Sequence, residues 1–380
     1  MRVELDEVRA RLSERGEAAT PVAVAEALGW LGHVVSDASV WATVSALRRD
    51  STGAGPLEPL LREPGVTDVL VNGAGAVYVD RGAGLERAEV EFESEEHVRR
   101  LAVRLAAQVG RRLDDGQPFV DARLPDGTRV HAVLGSVADP GTCISLRIPA
   151  RVRLSLADWR AGGGLSAEAM AALRGLVARR AAFLVSGGTG SGKTTLLSSL
   201  LGEVPATERL VIAEDSRELD PPHPHVVRLE GRPPNAEGAG AVTLTALVRQ
   251  ALRMRPDRLI LGEVRGAELT DLLMALNTGH EGGCGTVHAN APDAVPARLE
   301  ALGALGGLSR DALHAQASAA LDALVHVRRG AGGGRRYVSE IAMLRSGADG
   351  LVRAVSALVC DESGDARRGP GYPALRALIG

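Results

Sequence analysis

The sequence predicts an α/β protein with two sheet-containing domains behind a helical extension. Three observations carry that reading. The chain has 380 residues, more than one hydrophobic core usually encloses. Two breaks rich in glycine, at Asp50–Pro56 and at Gly162–Gly164, divide it. The pattern also changes between them. Hairpin signals and one strongly amphipathic helix precede residue 150, and short apolar runs alternating with helical stretches follow residue 165, as a mostly parallel covered sheet requires.

Taken in order, residues 1–50 read as a helical extension: Val3, Val8 and Leu12 fall on one stripe, and Val22–Val35 and Ser39–Leu47 follow. Residues 56–150 read as a small α+β domain, a sheet with helices on one side. Val66–Val71 and Ala76–Asp80 are short β-rich runs joined by Asn72-Gly73-Ala74-Gly75, a hairpin signal. Ser94 is placed to cap a helix running to Val109, with Val98, Leu101, Ala102, Leu105 and Ala106 on one face. Val120–Leu124 and Thr128–Leu134 flank the turn Pro125-Asp126-Gly127, and Cys143–Ile148 is a strand stopped by Pro149. Residues 151–164 read as a connector, and residues 165–380 as the second domain. Its expected elements are a helix at Ala167–Ala178 and strands at Ala182–Ser186, Leu210–Ala213 and Leu259–Leu261. A final hairpin of Ala323–Arg328 and Arg336–Leu344 closes around Gly330–Gly334.

Composition excludes several classes. The formal net charge is −3 and aromatics are 2%, which argues against direct nucleic-acid binding through an electrostatic or stacking surface. Cys143, Cys284 and Cys360 stand far apart with no metal-ligand spacing, so no zinc and a reducing cytosol are expected. No uncharged apolar run approaches the roughly 20 residues that span a bilayer, and no signal core opens the chain. One count is more telling. Of 44 basic residues, Lys193 is the single lysine. A bias that made arginine the default cation spared the one position where a compact ammonium cannot be replaced by a planar fork.

That lysine lies in Gly187-Gly188-Thr189-Gly190-Ser191-Gly192-Lys193-Thr194-Thr195, which fits G-x-x-x-x-G-K-[ST] between an expected strand and an expected helix. Such a loop turns backbone N–H groups onto phosphate oxygens. The lysine reaches the terminal phosphates, and Thr194 is placed to ligate Mg²⁺. Two apolar strands end in acids, Leu210–Ala213 in Glu214-Asp215 and Leu259–Gly262 in Glu263. Acids at strand tips beside a phosphate loop hold metal and water. Glu263 and Asp215 are the metal candidates, and Glu263 and Glu214 are rivals for general base. Thr278–Asn290 places His280 and His288 in a glycine-rich segment suited to sensing a terminal phosphate and moving. Hinge or packing roles stay open for both histidines.

In this order the boxes resemble those of the type II/type IV secretion traffic ATPases, a RecA-like hexameric family. Leu57–Leu61 with Val66–Gly73 is similar to the start of that family's N-terminal domain. Glu214-Asp215-Ser216 resembles its Asp box, Arg253–Arg258 with Leu259–Glu263 its Walker B approach, and Thr286–Asn290 its His box. The likeness spans about Pro56–Leu344. Within the family the sequence looks most like the TadA/CpaF-like ATPases of Tad (Flp) pilus assembly. It departs from the pattern at Cys284, where a small hydroxyl residue is usual, and at Arg217. The resemblance implies a RecA-like P-loop NTPase fold for the second domain, with ATP and Mg²⁺ as cofactors. It also implies arginines directed to the γ-phosphate: Arg129 and Arg147 match the N-terminal positions, and Arg253 and Arg255 are candidates on the catalytic domain. A surface-charge role remains open for each.

The expected activity is Mg²⁺-dependent hydrolysis of ATP. By resemblance it serves a homo-hexamer in the cytoplasm, held at the inner membrane through a platform protein, and powers Tad-type pilus assembly or secretion. Three alternatives stand beside it: a conjugal DNA-transfer ATPase of type IV secretion, a RecA-type nucleic-acid translocase, and a nucleotide-binding regulator that does not turn over.

Overall fold

The computed structural model describes residues 5–82, 84–149, 153–232, 234, 238–331 and 334–380; Val3, Arg151, Gly332 and Gly333 of the expectations above lie outside the described residues. The chain divides into two units, Met1–Ala150 and Arg151–Gly380.

The first unit begins with α1 (Leu5–Glu14), α2 (Pro21–Trp30) and α3 (Asp37–Thr52), which close on a small core of their own that includes Val8, Val24, Leu28 and Val44. Thr20 caps α2 through its hydroxyl, with Pro21 in the first turn, where the missing N–H costs nothing. Helix α3 continues through Thr52, so the break expected from Asp50 onward comes only at Gly53. A 3₁₀ turn at Gly55–Leu57 and α4 (Glu58–Arg62) follow.

Next come β1 (Asp68–Asn72), β2 (Val77–Asp80), β3 (Leu85–Arg87), α5 (Glu95–Ala107), β4 (Phe119–Arg123), β5 (Arg129–Val133) and β6 (Cys143–Arg147). The strands form one antiparallel sheet in the order β3-β2-β1-β6-β5-β4. Val69, Val71, Val130, Ala132, Ile144 and Leu146 alternate onto one face and share a core with Val98, Leu101, Leu105 and Ala106 of α5. The intervening residues make the other face. There Arg123, Arg129 and Arg147 stand side by side, because Arg129 is the register partner of both Arg123 and Arg147.

The second unit opens with α6 (Leu156–Ala161), held by a reciprocal capping box between Ser155 and Asp158. Leu156 and Trp159 are buried in the main core, and Trp159 Nε1 donates to Ser199 Oγ at 3.1 Å. Much of the stretch 151–164 is therefore packed rather than an open connector: an apolar pair three residues apart on one helical turn is enough to dock it. Then come α7 (Ala167–Ala178), β7 (Phe183–Gly187), α8 (Lys193–Leu201), β8 (Leu210–Glu214), β9 (Val226–Glu230), α9 (Leu244–Ala251), β10 (Arg258–Leu261), α10 (Glu268–Asn277) and β11 (Cys284–His288). Helices α11 (Val295–Leu305) and α12 (Arg310–Ala320) precede β12 (Ala323–Arg329), β13 (Arg336–Ser346), β14 (Val352–Cys360), β15 (Ala366–Arg368) and α13 (Tyr372–Ile379).

The sheet runs β15-β14-β13-β12-β7-β11-β10-β8-β9. From β12 to β9 every pairing is parallel, and β13, β14 and β15 extend it antiparallel. Both faces are buried, which explains the unbroken apolar runs. Phe183, Val185, Leu210 and Ile212 face α6, α7, α8 and α13, whereas Leu184, Val211 and Ala213 face α9 to α12. Strand β11 lies between β7 and β10, so the strand that leads to Glu263 is second from the P-loop strand, not beside it.

Candidate active site

The carboxyl ends of β7, β11, β10 and β8 form one edge, and the functional side chains gather there. Strand β7 is buried along its length and delivers Gly187 into the turn. Gly187, Gly190 and Gly192 have φ of +157°, +70° and +99°, which an L side chain rarely adopts. A Cβ on Gly187 would also lie 2.5 Å from the Val327 carbonyl oxygen. Gly192 caps α8 in a left-handed conformation without any side-chain cap, so the first N–H groups of the helix, from Lys193 through Thr195, face outward. Exposed Thr189 and Gly190 form the tip of the loop, and Ser191 Oγ donates to the Gly188 carbonyl at 2.9 Å, bracing it from within. This is a backbone cradle for an anion, and the glycines are what keep it open.

Lys193 is 7% exposed, and its Nζ donates to the carbonyls of Gly187 (3.1 Å) and Gly188 (2.9 Å). Both His288 ring nitrogens lie 3.4 Å from it. Burial pulls the ammonium below its usual range, and the charges of Glu263 and Glu218 oppose that pull. His288 stands there because β11 pairs with β7 in a register that sets His288 opposite Gly187. Burial and the neighbouring Lys193 lower the His288 pKa, favouring a neutral ring. That ring reaches Glu263 Oε1 through Nε2 at 2.6 Å. Arg265 Nε donates to the other Glu263 oxygen at 2.7 Å. Glu263, one residue beyond Gly262 at the tip of β10, is thus held by Arg265 through one oxygen, while its Oε1 lies buried beside His288 without a hydrogen-bond partner among the described residues.

Two acids at the tip of β8 separate in role. Glu214 is 2% exposed, and its Oε1 accepts the backbone N–H groups of Glu218 and Leu219, both at 3.0 Å, which folds the loop after the strand. A Cβ on Gly262 would lie 2.5 Å from Glu214 Cγ, so the glycine makes room for this carboxylate. Asp215 is half exposed, 3.9 Å from Arg265 Nη1. The loop that Glu214 shapes carries Glu218, whose Oε2 accepts from Thr194 Oγ1 at 3.4 Å. Sequence reasoning passed over Glu218. Its signal was present, as a third acid in Glu214-Asp215-Ser216-Arg217-Glu218 at the spacing of one tight loop. The Thr194 hydroxyl at the head of α8 and the Glu218 carboxylate are oxygen donors of the kind Mg²⁺ takes, although among the described residues no three acids converge on one point.

The fold does not bring every candidate here. Arg253 and Arg255 precede β10, and His280 precedes β11, so all three lie at the amino edge of the sheet, opposite the P-loop. Arg253 Nη1 donates to the Arg249 carbonyl at 3.0 Å, and Arg255 adopts φ +53° in the turn into β10. The His280 N–H donates to the Ala275 carbonyl at 3.2 Å, ending α10. Arg129 and Arg147 belong to the first unit, as cross-strand neighbours. Cys284 is fully buried in β11, and burial pushes its thiol up to about 12, so it offers no thiolate.

A family model described as type II/IV secretion system protein matches residues 50–368. A Mycobacterium tuberculosis protein named for conjugal transfer is 55% identical over 329 residues, 85% of this chain and 93% of that one. The type IV secretion system protein PtlH of Bordetella pertussis is 35% identical over 318 residues, 75% of this chain and 92% of PtlH. Among solved structures, the ATPase DotB of Legionella pneumophila has the same fold, with a TM-score of 0.52 at 19% identity over 84% of this chain and 81% of DotB.

Proposed function

This chain belongs to the type II/IV secretion system protein family, and from that premise we propose that it hydrolyses ATP to drive a membrane-bound transport machine. The observation that carries the reading is the meeting of Lys193, Thr194, Glu218, Glu263 and His288 at the mouth of one glycine cradle. The outward N–H groups of α8 and the loop, with Lys193, bind the triphosphate. Thr194 with Glu263 and Asp215, and with Glu218 added to the set, would hold Mg²⁺, which would supply charge neutralisation at the terminal phosphates. Glu263, held by Arg265 and with its Oε1 lacking a hydrogen-bond partner among the described residues beside His288, is the proposed acceptor of the proton from the attacking water. Glu214 acts through the loop it folds. His288 links the Lys193 ammonium to Glu263, so that a group arriving at the lysine is felt at the carboxylate.

Arg129 and Arg147 are proposed to complete the charge stabilisation. The two stand on one face of the first sheet, with Asp68 as the other cross-strand partner of Arg147, and forked guanidinium donors suit phosphate oxygens. Arg253 and Arg255, at the other edge of the sheet, are proposed to act only across a subunit boundary. The assembly proposed is a homo-hexamer on the cytoplasmic side of a membrane, docked on a platform protein. No helix among the described residues is long and apolar enough to cross a membrane.

For cargo, conjugal or type IV secretion transfer is favoured over Tad pilus assembly by the relative named for conjugal transfer, at 55% identity. The test of the activity is steady-state release of phosphate from ATP by the full chain, with and without Mg²⁺. Nucleotide binding with no turnover under both conditions would return the regulator reading.

A further inference from the structure

We propose that His326 is a positioning residue of the nucleotide site, tying the end of the P-loop strand to the loop behind His288. The proposal rests on the ATPase reading above. His326 lies in β12, the strand next to β7, in register with Ser186, the residue before Gly187. It is 2% exposed, and Ser186 is fully buried. Its Nδ1 lies 2.9 Å from Ser186 Oγ, and the backbone of Asn290, two residues beyond His288, acts on the ring from the other side.

These contacts assign the ring. In the proposed arrangement the Ser186 hydroxyl donates to Nδ1, and the remaining ring N–H is directed to the Asn290 carbonyl, whose effect on the ring is that of an acceptor. Burial first, then the charges of Arg328 and Lys193, hold the imidazole at about 4 against the opposing pull of the Asn290 carbonyl and Asp293. It stays uncharged at neutral pH, with one nitrogen accepting and the other donating.

The position is unusual for a buried polar group. His326 shares its side of β12 with Leu324, which packs against α9 to α12. An apolar residue would fill that site without needing partners, whereas an imidazole there must satisfy both nitrogens. Ser186 and Asn290 both lie within two residues of groups that surround Lys193. Ser186 precedes Gly187, whose carbonyl accepts from Nζ, and Asn290 follows His288, which stands 3.4 Å from the same atom. Beyond His288 the strand pairing of β11 with β7 ends, and residues 289–294 are held by the packing of Ala289 and buried Pro292 and by the turn itself, so a side-chain bond at Asn290 adds a directional tie to that packing. The triphosphate is held by loop amides that His326 does not touch, so its loss should misplace His288 and Glu263 rather than weaken nucleotide binding.

Full-length His326→Leu and His326→Gln separate this role from filling. Leu keeps bulk and breaks both bonds; Gln can accept from Ser186 and donate to Asn290. We expect His326→Leu to lower kcat about tenfold or more. Affinity for a fluorescent ATP analogue should stay within about twofold, and His326→Gln should recover most of the loss. Amide hydrogen exchange at residues 287–291 should slow on adding Mg²⁺-ADP in the parent and in His326→Gln, but not in His326→Leu. That readout needs no turnover, so an inactive parent would remove the ATPase reading and still decide the bridge. If His326→Leu does not fold, Ser186→Ala, which deletes one hydroxyl, must itself reduce kcat selectively and blunt the exchange response. Parental kcat and exchange in Ser186→Ala, or equal losses of kcat, affinity and melting temperature in Leu and Gln alike, would overturn the proposal.

Discussion

Replacing Lys193 with arginine tests the centre of the proposed site in a chain whose other basic residues are all arginine. Lys193 is 7% exposed, and its ammonium has two carbonyls at 2.9 and 3.1 Å and the His288 ring at 3.4 Å. A guanidinium brings five donors on a rigid plane into a space shaped for three donors on a point. Two carbonyl acceptors cannot satisfy it. A buried donor left unpaired costs about 1–3 kcal/mol, and a misplaced charge-assisted contact to the phosphates costs a similar amount. If about 2.7 kcal/mol of this falls on the transition state, turnover drops about 10²-fold. The assay is steady-state ATP hydrolysis by parent and Lys193→Arg, with melting temperature to confirm folding and a fluorescent ATP analogue to report binding. Near-parental turnover in a folded variant would refute the reasoning, because any cation would then serve.

Three further outcomes follow from the geometry. Glu263→Gln keeps the shape but removes the charge between His288 and Arg265, and should retain nucleotide binding while hydrolysis falls by about two orders of magnitude; collapse of binding along with hydrolysis would make Glu263 structural. Arg129→Ala and Arg147→Ala should each slow hydrolysis at least about tenfold with little change in nucleotide affinity. Unchanged rates in both would leave the arginine pair as surface charge. For stability, the His326 pKa is about 4 in the folded chain against an ordinary 6.5, so unfolding takes up a proton between those values. The folded state is therefore favoured by this residue above pH 6.5 and loses that advantage as pH falls toward 4, by up to about 3 kcal/mol. Chemical denaturation from pH 7.5 to 4.5 should show a steeper loss in the parent than in His326→Gln, and parallel curves would contradict it.

What the sequence alone determined was whatever a few consecutive residues dictate. The cradle at Gly187–Thr195 was legible because its glycines, lysine and threonine are contiguous, and their backbone requirements are local. Helix α5 was legible because its apolar spacing and Ser94 cap lie within one element, and the hairpins around Gly73 and Gly127 because turn chemistry is short-range. Strand β11 was hidden. Its residues Cys284-Gly285-Thr286-Val287-His288 read as a glycine-rich loop, and only pairing on both sides by β7 and β10 makes them a strand. The same insertion decides that His288, and not His280 at the other end of that segment, meets Lys193. Arg253 and Arg255 sit near Glu263 in sequence, yet β10 carries Glu263 to the opposite edge of the sheet from them. Trp159 docks on Ser199 and His326 on Ser186 across separations of 40 and 140 residues. Periodicity shows which face of an element is buried. It does not order strands whose neighbours are chosen by long crossovers, and that order places the acids and histidines around the cradle.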